Sequence, residues 1–131
     1  MPIDHVKLPV TDLAASRAFY AGALAPFGYK LVFDGPASLG FGTGDGGDDD
    51  EPFALELQSA PTVGTHVAFT ASSVAQVDEF HAAALAAGGR DNGPPSDRPY
   101  GGSYYAAFVL DPDGHNIEAV YHGPEARRPP S

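Results

Sequence analysis

Cysteine is absent from this 131-residue chain, so disulfides and thiolate metal sites are excluded and the redox compartment cannot be read. Basic residues are scarce, with seven Lys and Arg against 17 Asp and Glu and a formal net charge of −10. That balance repels phosphate backbones, excludes nucleic acid as a partner class and favours cationic ligands and metal ions. No apolar run approaches the roughly 18 to 20 residues of a membrane span, and no basic leader precedes an apolar stretch. A cytoplasmic protein with no membrane partner is the expectation.

What is present argues for a folded chain of short elements. The hydrophobic fraction is 43%, including eight Phe and six Tyr, while 16 Gly and 13 Pro supply many turns. Much of the acidity lies in Asp45, Asp48, Asp49, Asp50 and Glu51. These sit in a Gly-rich stretch, 42–52, that reads as a solvated hairpin tip without the ligand alternation of a calcium loop. Residues 123–131 carry two Arg and three Pro and are expected to form a flexible tail.

The chain repeats itself. Asp4-His5-Val6 recurs as Thr65-His66-Val67, and the offset of 61 holds through Phe19/Phe80, Leu24/Leu85 and Gly28/Gly89. Later, Ala54-Leu55-Glu56-Leu57 lies over Asn116-Ile117-Glu118-Ala119 at an offset of 62. Each half therefore carries one early His and one late Glu. A single domain over residues 1–122 is predicted, made of module one at about 3–59 and module two at about 64–122, neither stable alone.

Each half reads as strand, helix and three strands. In 3–10, Val6, Leu8 and Val10 share one face while Ile3, His5 and Lys7 share the other, the period of a half-buried strand. Thr11 and Asp12 supply a helix N-cap, and Leu13, Phe19, Tyr20 and Leu24 give an apolar stripe that Pro26 and Gly28 stop. Ser73 and Gln76 form the second start signal, and Gly88-Gly89 the second stop. Further strands are predicted at 29–34, 38–42, 52–59, 90–93, 103–110 and 116–121. Alternation turns His5, Glu56, His66 and Glu118 away from the helix-covered side. Unpaired buried carboxylates cost several kcal/mol, so two Glu and two His on one enclosed face call for a compensating cation.

The βαβββ repeat, the paired His and Glu, and the run Asp111-Pro112-Asp113-Gly114-His115-Asn116-Ile117-Glu118 resemble the vicinal oxygen chelate superfamily. That is the family of glyoxalase I, the extradiol dioxygenases and the bleomycin resistance proteins. The resemblance implies an α+β fold: two tandem βαβββ modules forming a curved eight-stranded mixed sheet around a cavity, with helices on the outer face. It also implies metal ligands at His5, Glu56, His66 and Glu118 for a divalent Ni, Co, Mn, Fe or Zn ion. Glu118 or Glu56 would be the base of an isomerase or lyase acting on a small molecule that chelates through adjacent oxygens.

Pro9 and Ala60 stand where the bacterial glyoxalase I pattern has a glutathione-binding Arg and an Asn, which argues against glutathione as cosubstrate. Arg98, Tyr100 and Tyr104 lie in or beside a Pro- and Gly-containing stretch that suits a rim over the cavity, as substrate-binding residues. His81, His115 and His122 read as surface or packing residues. A metal-free protein that sequesters a small molecule, like the bleomycin resistance proteins, is the alternative. Relatives of this size commonly dimerise, and a homodimer is expected.

Overall fold

The computed structural model describes residues 4–45, 51–60, 65–100 and 102–123. The expected flexible tail lies outside them apart from Gly123, as do residues 46–50 of the acidic stretch and residues 61–64 between the two modules. Along the chain run β1 (Val6–Val10), α1 (Leu13–Ala23), a 3-10 turn (Ala25–Phe27), β2 (Lys30–Asp34), β3 (Ser38–Gly42) and β4 (Phe53–Leu57). The second module repeats the order with β5 (His66–Thr70), α2 (Val74–Ala86), β6 (Arg90–Asp97), β7 (Tyr105–Leu110) and β8 (Asn116–Tyr121). No helix among these residues is long and apolar enough to cross a membrane.

Local chemistry sets the helix ends. The Asp12 carboxylate accepts from the Ala15 amide at 3.1 Å, and the Ser73 hydroxyl accepts from the Gln76 amide at 3.0 Å, each satisfying an orphan donor of the first turn. The Gln76 side chain reaches back to the Ser72 amide at 2.7 Å, one residue short of a reciprocal capping box. α1 ends at Ala23, and the chain tightens through Pro26 into Gly28, whose φ of 78° is open to glycine at no steric cost. β6 runs four residues beyond its expected end at Gly93 and includes Pro94 and Pro95. It is tolerated because β6 is an edge strand and its ladder with β7 is irregular on both sides of Gly93.

The strands form two four-stranded mixed sheets, ordered β1-β4-β3-β2 and β5-β8-β7-β6. Among the described residues the expected eight-stranded sheet is thus two sheets, each with a parallel pair (β1 with β4, β5 with β8) and antiparallel neighbours. Their helix-covered faces merge into one core that draws Leu8, Phe19, Tyr20 and Phe53 from the first module and Val77, Phe80, Val109 and Ile117 from the second. Tyr20 and Phe53 stand 5.0 Å apart, Phe53 and Phe69 5.2 Å, and Phe27 lies 5.7 Å from Phe69 and 5.9 Å from Phe80, between ring centroids. Each such side chain contributes about 1.5–3 kcal/mol on burial. Because the core is shared, each module lacks part of it when isolated.

A second joint is polar. Buried Asp111 accepts the Tyr20 hydroxyl at 2.6 Å on one oxygen and the amides of Asp113 (2.9 Å) and His115 (2.8 Å) on the other. The His115 imidazole, fully buried, donates through Nε2 to the Pro9 carbonyl at 2.7 Å, and Asp113 accepts the Thr11 amide at 3.1 Å. The Asp-Pro-Asp-Gly-His turn therefore clasps module two onto the end of β1.

Candidate functional site

The faces turned away from the shared core carry the chemistry. On β8, Ile117 and Ala119 point into the core, so Glu118 between them points to the other side. It is nonetheless 1% exposed. Glu118 Oε1 lies 2.8 Å from His66 Nε2, and since an ionised carboxylate only accepts, the imidazole is the donor. The Tyr104 hydroxyl donates a short bond to Glu118 Oε2. Both carboxylate oxygens are thus held, one by each neighbour.

Register explains why these groups meet. In the parallel β5–β8 pair His66 faces Asn116 and Ala68 faces Glu118, so the imidazole and the carboxylate sit diagonally, two residues or about 6.6 Å apart along the strands, within side-chain reach. Tyr104 immediately precedes β7, in which Phe108 faces Glu118. Loss of hydration and then the Glu118 hydrogen bond push the Tyr104 phenol up to about 12. It therefore stays protonated, as a donor, at neutral pH.

The other two expected rim residues gather here too. Arg98 lies over the Phe108 ring, 5.1 Å from its centroid, and its guanidinium donates to the Ala106 carbonyl at 3.1 Å and to that of Pro94. Arg98 Nε is buried without a hydrogen-bond partner among the described residues. The His66 ring is 6.1 Å from Phe108. Tyr100, 60% exposed, stands edge-on to Tyr104 at 4.9 Å, and His122 does so from another direction at 5.0 Å. The cluster joins one buried carboxylate, one imidazole, one phenol and a guanidinium among aromatic rings.

The first module is arranged differently. His5 precedes β1, is exposed and pairs with Asp4 at 2.8 Å. Glu56 is half-exposed, and its carboxylate lies 3.9 Å from the Lys7 ammonium. The β1–β4 register sets Val6 against Phe53, Lys7 against Ala54 and Pro9 against Glu56. His5 is therefore four residues along from Glu56, about 13 Å at roughly 3.3 Å per residue, too far for one ion to bind both at about 2 Å from each. His66 and Glu118 bring together one nitrogen and one oxygen of the types a borderline divalent ion takes, and here the two are hydrogen-bonded to each other at 2.8 Å. His5 and Glu56 of the same chain do not join them. Among the described residues no three His, Cys, Asp or Glu side chains come together as a ligand set.

Sequence reasoning did not single out Lys7 or Asp111. Lys7 had one visible signal, its place on the same strand face as His5. Asp111 belonged to a recognised turn, but its bond to Tyr20, 91 residues away, has no local signature. His115 is a buried packing residue, while His81 partners Asp91 at 2.9 Å and holds that carboxyl below its usual range.

A duplicated α+β fold whose second sheet holds a Glu–His pair beside aromatic rings and a guanidinium defines the class of protein: a paired-module βαβββ fold. The family model of the Glyoxalase/Bleomycin resistance protein/Dioxygenase superfamily matches residues 2–119, and the chain belongs to that superfamily. Solved structures agree. A glyoxalase/bleomycin resistance protein from Albidiferax ferrireducens T118 is 29% identical with a TM-score of 0.77, over 92% of this chain and 98% of that one. A glyoxalase-related enzyme from Fulvimarina pelagi is 25% identical with a TM-score of 0.70, over 92% and 88%. TioX from Micromonospora sp. ML1, at 24% identity, a TM-score of 0.65 and 90% and 96% coverage, shares the fold. No curated protein sequence matches the chain.

Proposed function

We propose that this protein is a glyoxalase-like isomerase or lyase, that its substrate is a small molecule bearing two adjacent oxygens, and that Glu118 moves the proton. The observation that carries this reading is the buried Glu118 carboxylate, held by His66 on one oxygen and Tyr104 on the other. Two donors fix the plane of the carboxylate, so a C–H next to a substrate carbonyl meets it along a defined approach. Tyr104, still protonated at neutral pH, orients the base rather than acting as one. The Arg98 guanidinium, stacked on Phe108, would take a substrate carboxylate or enolate oxygen, and Tyr100 would cover the mouth of the site. A divalent ion, when bound, would be held by His66 and Glu118 and would supply Lewis-acid polarisation of the substrate oxygens. A homodimer, in which a second copy adds to the open face, belongs to this reading; sedimentation showing only monomer at micromolar concentration would remove that part.

A screen of dicarbonyls, hemithioacetals and catechols with Ni, Co, Mn, Fe or Zn added tests the proposal. Glu118→Gln should lower turnover of the best substrate by about 10²–10⁴-fold, the usual contribution of a general base. Full activity in Glu118→Gln would remove Glu118 as the base, and tight binding of an aromatic compound with no turnover under any metal would replace the enzyme reading by sequestration.

A further inference from the structure

We propose that Lys7, and not His5, is the first module's counterpart of His66, and that its ammonium is the resident cation of that module's open face. The strand register carries this assignment. The two helix N-caps, Asp12 and Ser73, keep the offset of 61 between the modules, so β1 and β5 are fixed relative to their helices. Against that frame Val6 pairs with Phe53, whereas Val67 pairs with Ile117. The fourth strands are therefore related by 64 residues rather than the 62 of the sequence alignment, a slip of one side-chain repeat.

The slip has a chemical consequence. On the open face Ala54 occupies the place of Glu118, and Glu56 occupies the place of Val120. Moved two residues along β4, Glu56 leaves His5 behind and meets the next same-face residue of β1. That residue is Lys7, which stands to Glu56 in the diagonal relation of His66 to Glu118, since Lys7 faces Ala54 and His66 faces Asn116, each two residues before the Glu. The contacts agree: Lys7 Nζ to Glu56 Oε2 is 3.9 Å, and His66 Nε2 to Glu118 Oε1 is 2.8 Å. An ammonium has three donors and no lone pair while protonated, so it neutralises the carboxylate without ligating a metal. Module one thus supplies a fixed positive charge where module two supplies a nitrogen ligand.

This inference rests on the reading of His66 and Glu118 as the metal-facing pair, and Co²⁺ titration of the full chain separates the two. Wild type, His5→Ala, His66→Ala and Lys7→His are compared by cobalt absorption and by calorimetric stoichiometry. Lys7 and His5 are both at least half exposed, so neither change removes core packing. His5→Ala should bind Co²⁺ as wild type does, and His66→Ala should weaken binding by about tenfold or more. Lys7→His, which rebuilds the His–Glu diagonal in module one, should gain a second Co²⁺ equivalent. The proposal is overturned if His5→Ala weakens binding as much as His66→Ala, or if Lys7→His gains nothing. Cobalt bound by Lys7→His but not by wild type supports the inference about Lys7 while removing metal from the proposed function.

Discussion

The two modules share their order of elements and both helix caps, yet their open faces have opposite character. In module two a carboxylate that is 1% exposed is closed over by Tyr104 and flanked by Phe108 and His66. In module one Gly40 takes the register place of Phe108, since Gly40 faces Ala54 as Phe108 faces Glu118. A Cβ at Gly40 would overlap the Glu51 carboxylate, whose Oε2 is buried without a hydrogen-bond partner among the described residues. Glu56, beyond it, sits half in water beside Lys7. Like residues at like places in the sequence acquire like chemistry only when strand pairing brings them into the same company.

The sharpest way to break the comparison is at the joint, where module two does the holding. Asp111→Ala leaves the buried Tyr20 hydroxyl and two turn amides without an acceptor, and should cost about 3–5 kcal/mol of unfolding free energy in urea titration. Tyr20→Phe removes only one donor and should cost about 1 kcal/mol. If Asp111→Ala costs no more than Tyr20→Phe, the turn is not the clasp described here, and the shared apolar core alone joins the modules.

The next test sets the two Glu residues against each other. Glu118→Gln should cost about 1–3 kcal/mol, because the acid is buried with two neighbours built around its charge and acceptor pattern. Glu56→Gln, at a half-exposed site, should fall within about 0.5 kcal/mol of wild type. Equal costs would show that the modules are symmetric in energy despite their geometry.

Much of this was legible without coordinates. The repeat, the alternation in 3–10, the N-caps at Asp12 and Ser73 and the turn at 111–115 rest on local rules, and the strands and helices fall close to where those rules put them, except β6, which runs on to Asp97. A rim-like composition singled out Arg98, Tyr100 and Tyr104, of which Tyr104 reaches Glu118, Tyr100 packs on Tyr104 and Arg98 lies over Phe108. The register slip was not legible, because a two-residue shift keeps every side chain on its expected face. Alternation reports the face and is silent about the neighbour. For the same reason the matched His5 and Glu56 read as a pair when their strands hold them apart.

A pH titration probes the module difference more gently. Tyr104 and Tyr105, both in module two, have phenols pushed up to about 12, in each case by lost hydration and then by a carboxylate, Glu118 for one and Asp78 for the other. In the unfolded chain a tyrosine loses its proton near pH 10. The stabilising difference is therefore complete below pH 10 and drains away as pH rises towards 12. Ultraviolet difference absorbance should show three late phenolates: that of buried Tyr20 in module one, raised by lost hydration and then by Asp111, and two from module two, one missing in Tyr104→Phe and the other in Tyr105→Phe. Ionisation of Tyr104 near pH 10 in the folded protein would mean that its contact over Glu118 stands open.

The smallest effect is the most discriminating about module one. Lys7→Met removes a half-exposed ammonium from a half-exposed carboxylate, and such pairs contribute roughly 0–1 kcal/mol that salt screens. Its unfolding free energy should change by less than about 0.5 kcal/mol, and raising ionic strength should narrow the gap. Hydrogen exchange on β1 and β4 should stay at wild-type protection, because the ladder between them does not depend on that pair. If Lys7→Met instead loosened β1 and left β5 untouched, Lys7 would be a structural clamp on the first sheet. The small cost is what a residue kept for its charge on an open face should show, and a large one would move Lys7 from chemistry to scaffolding.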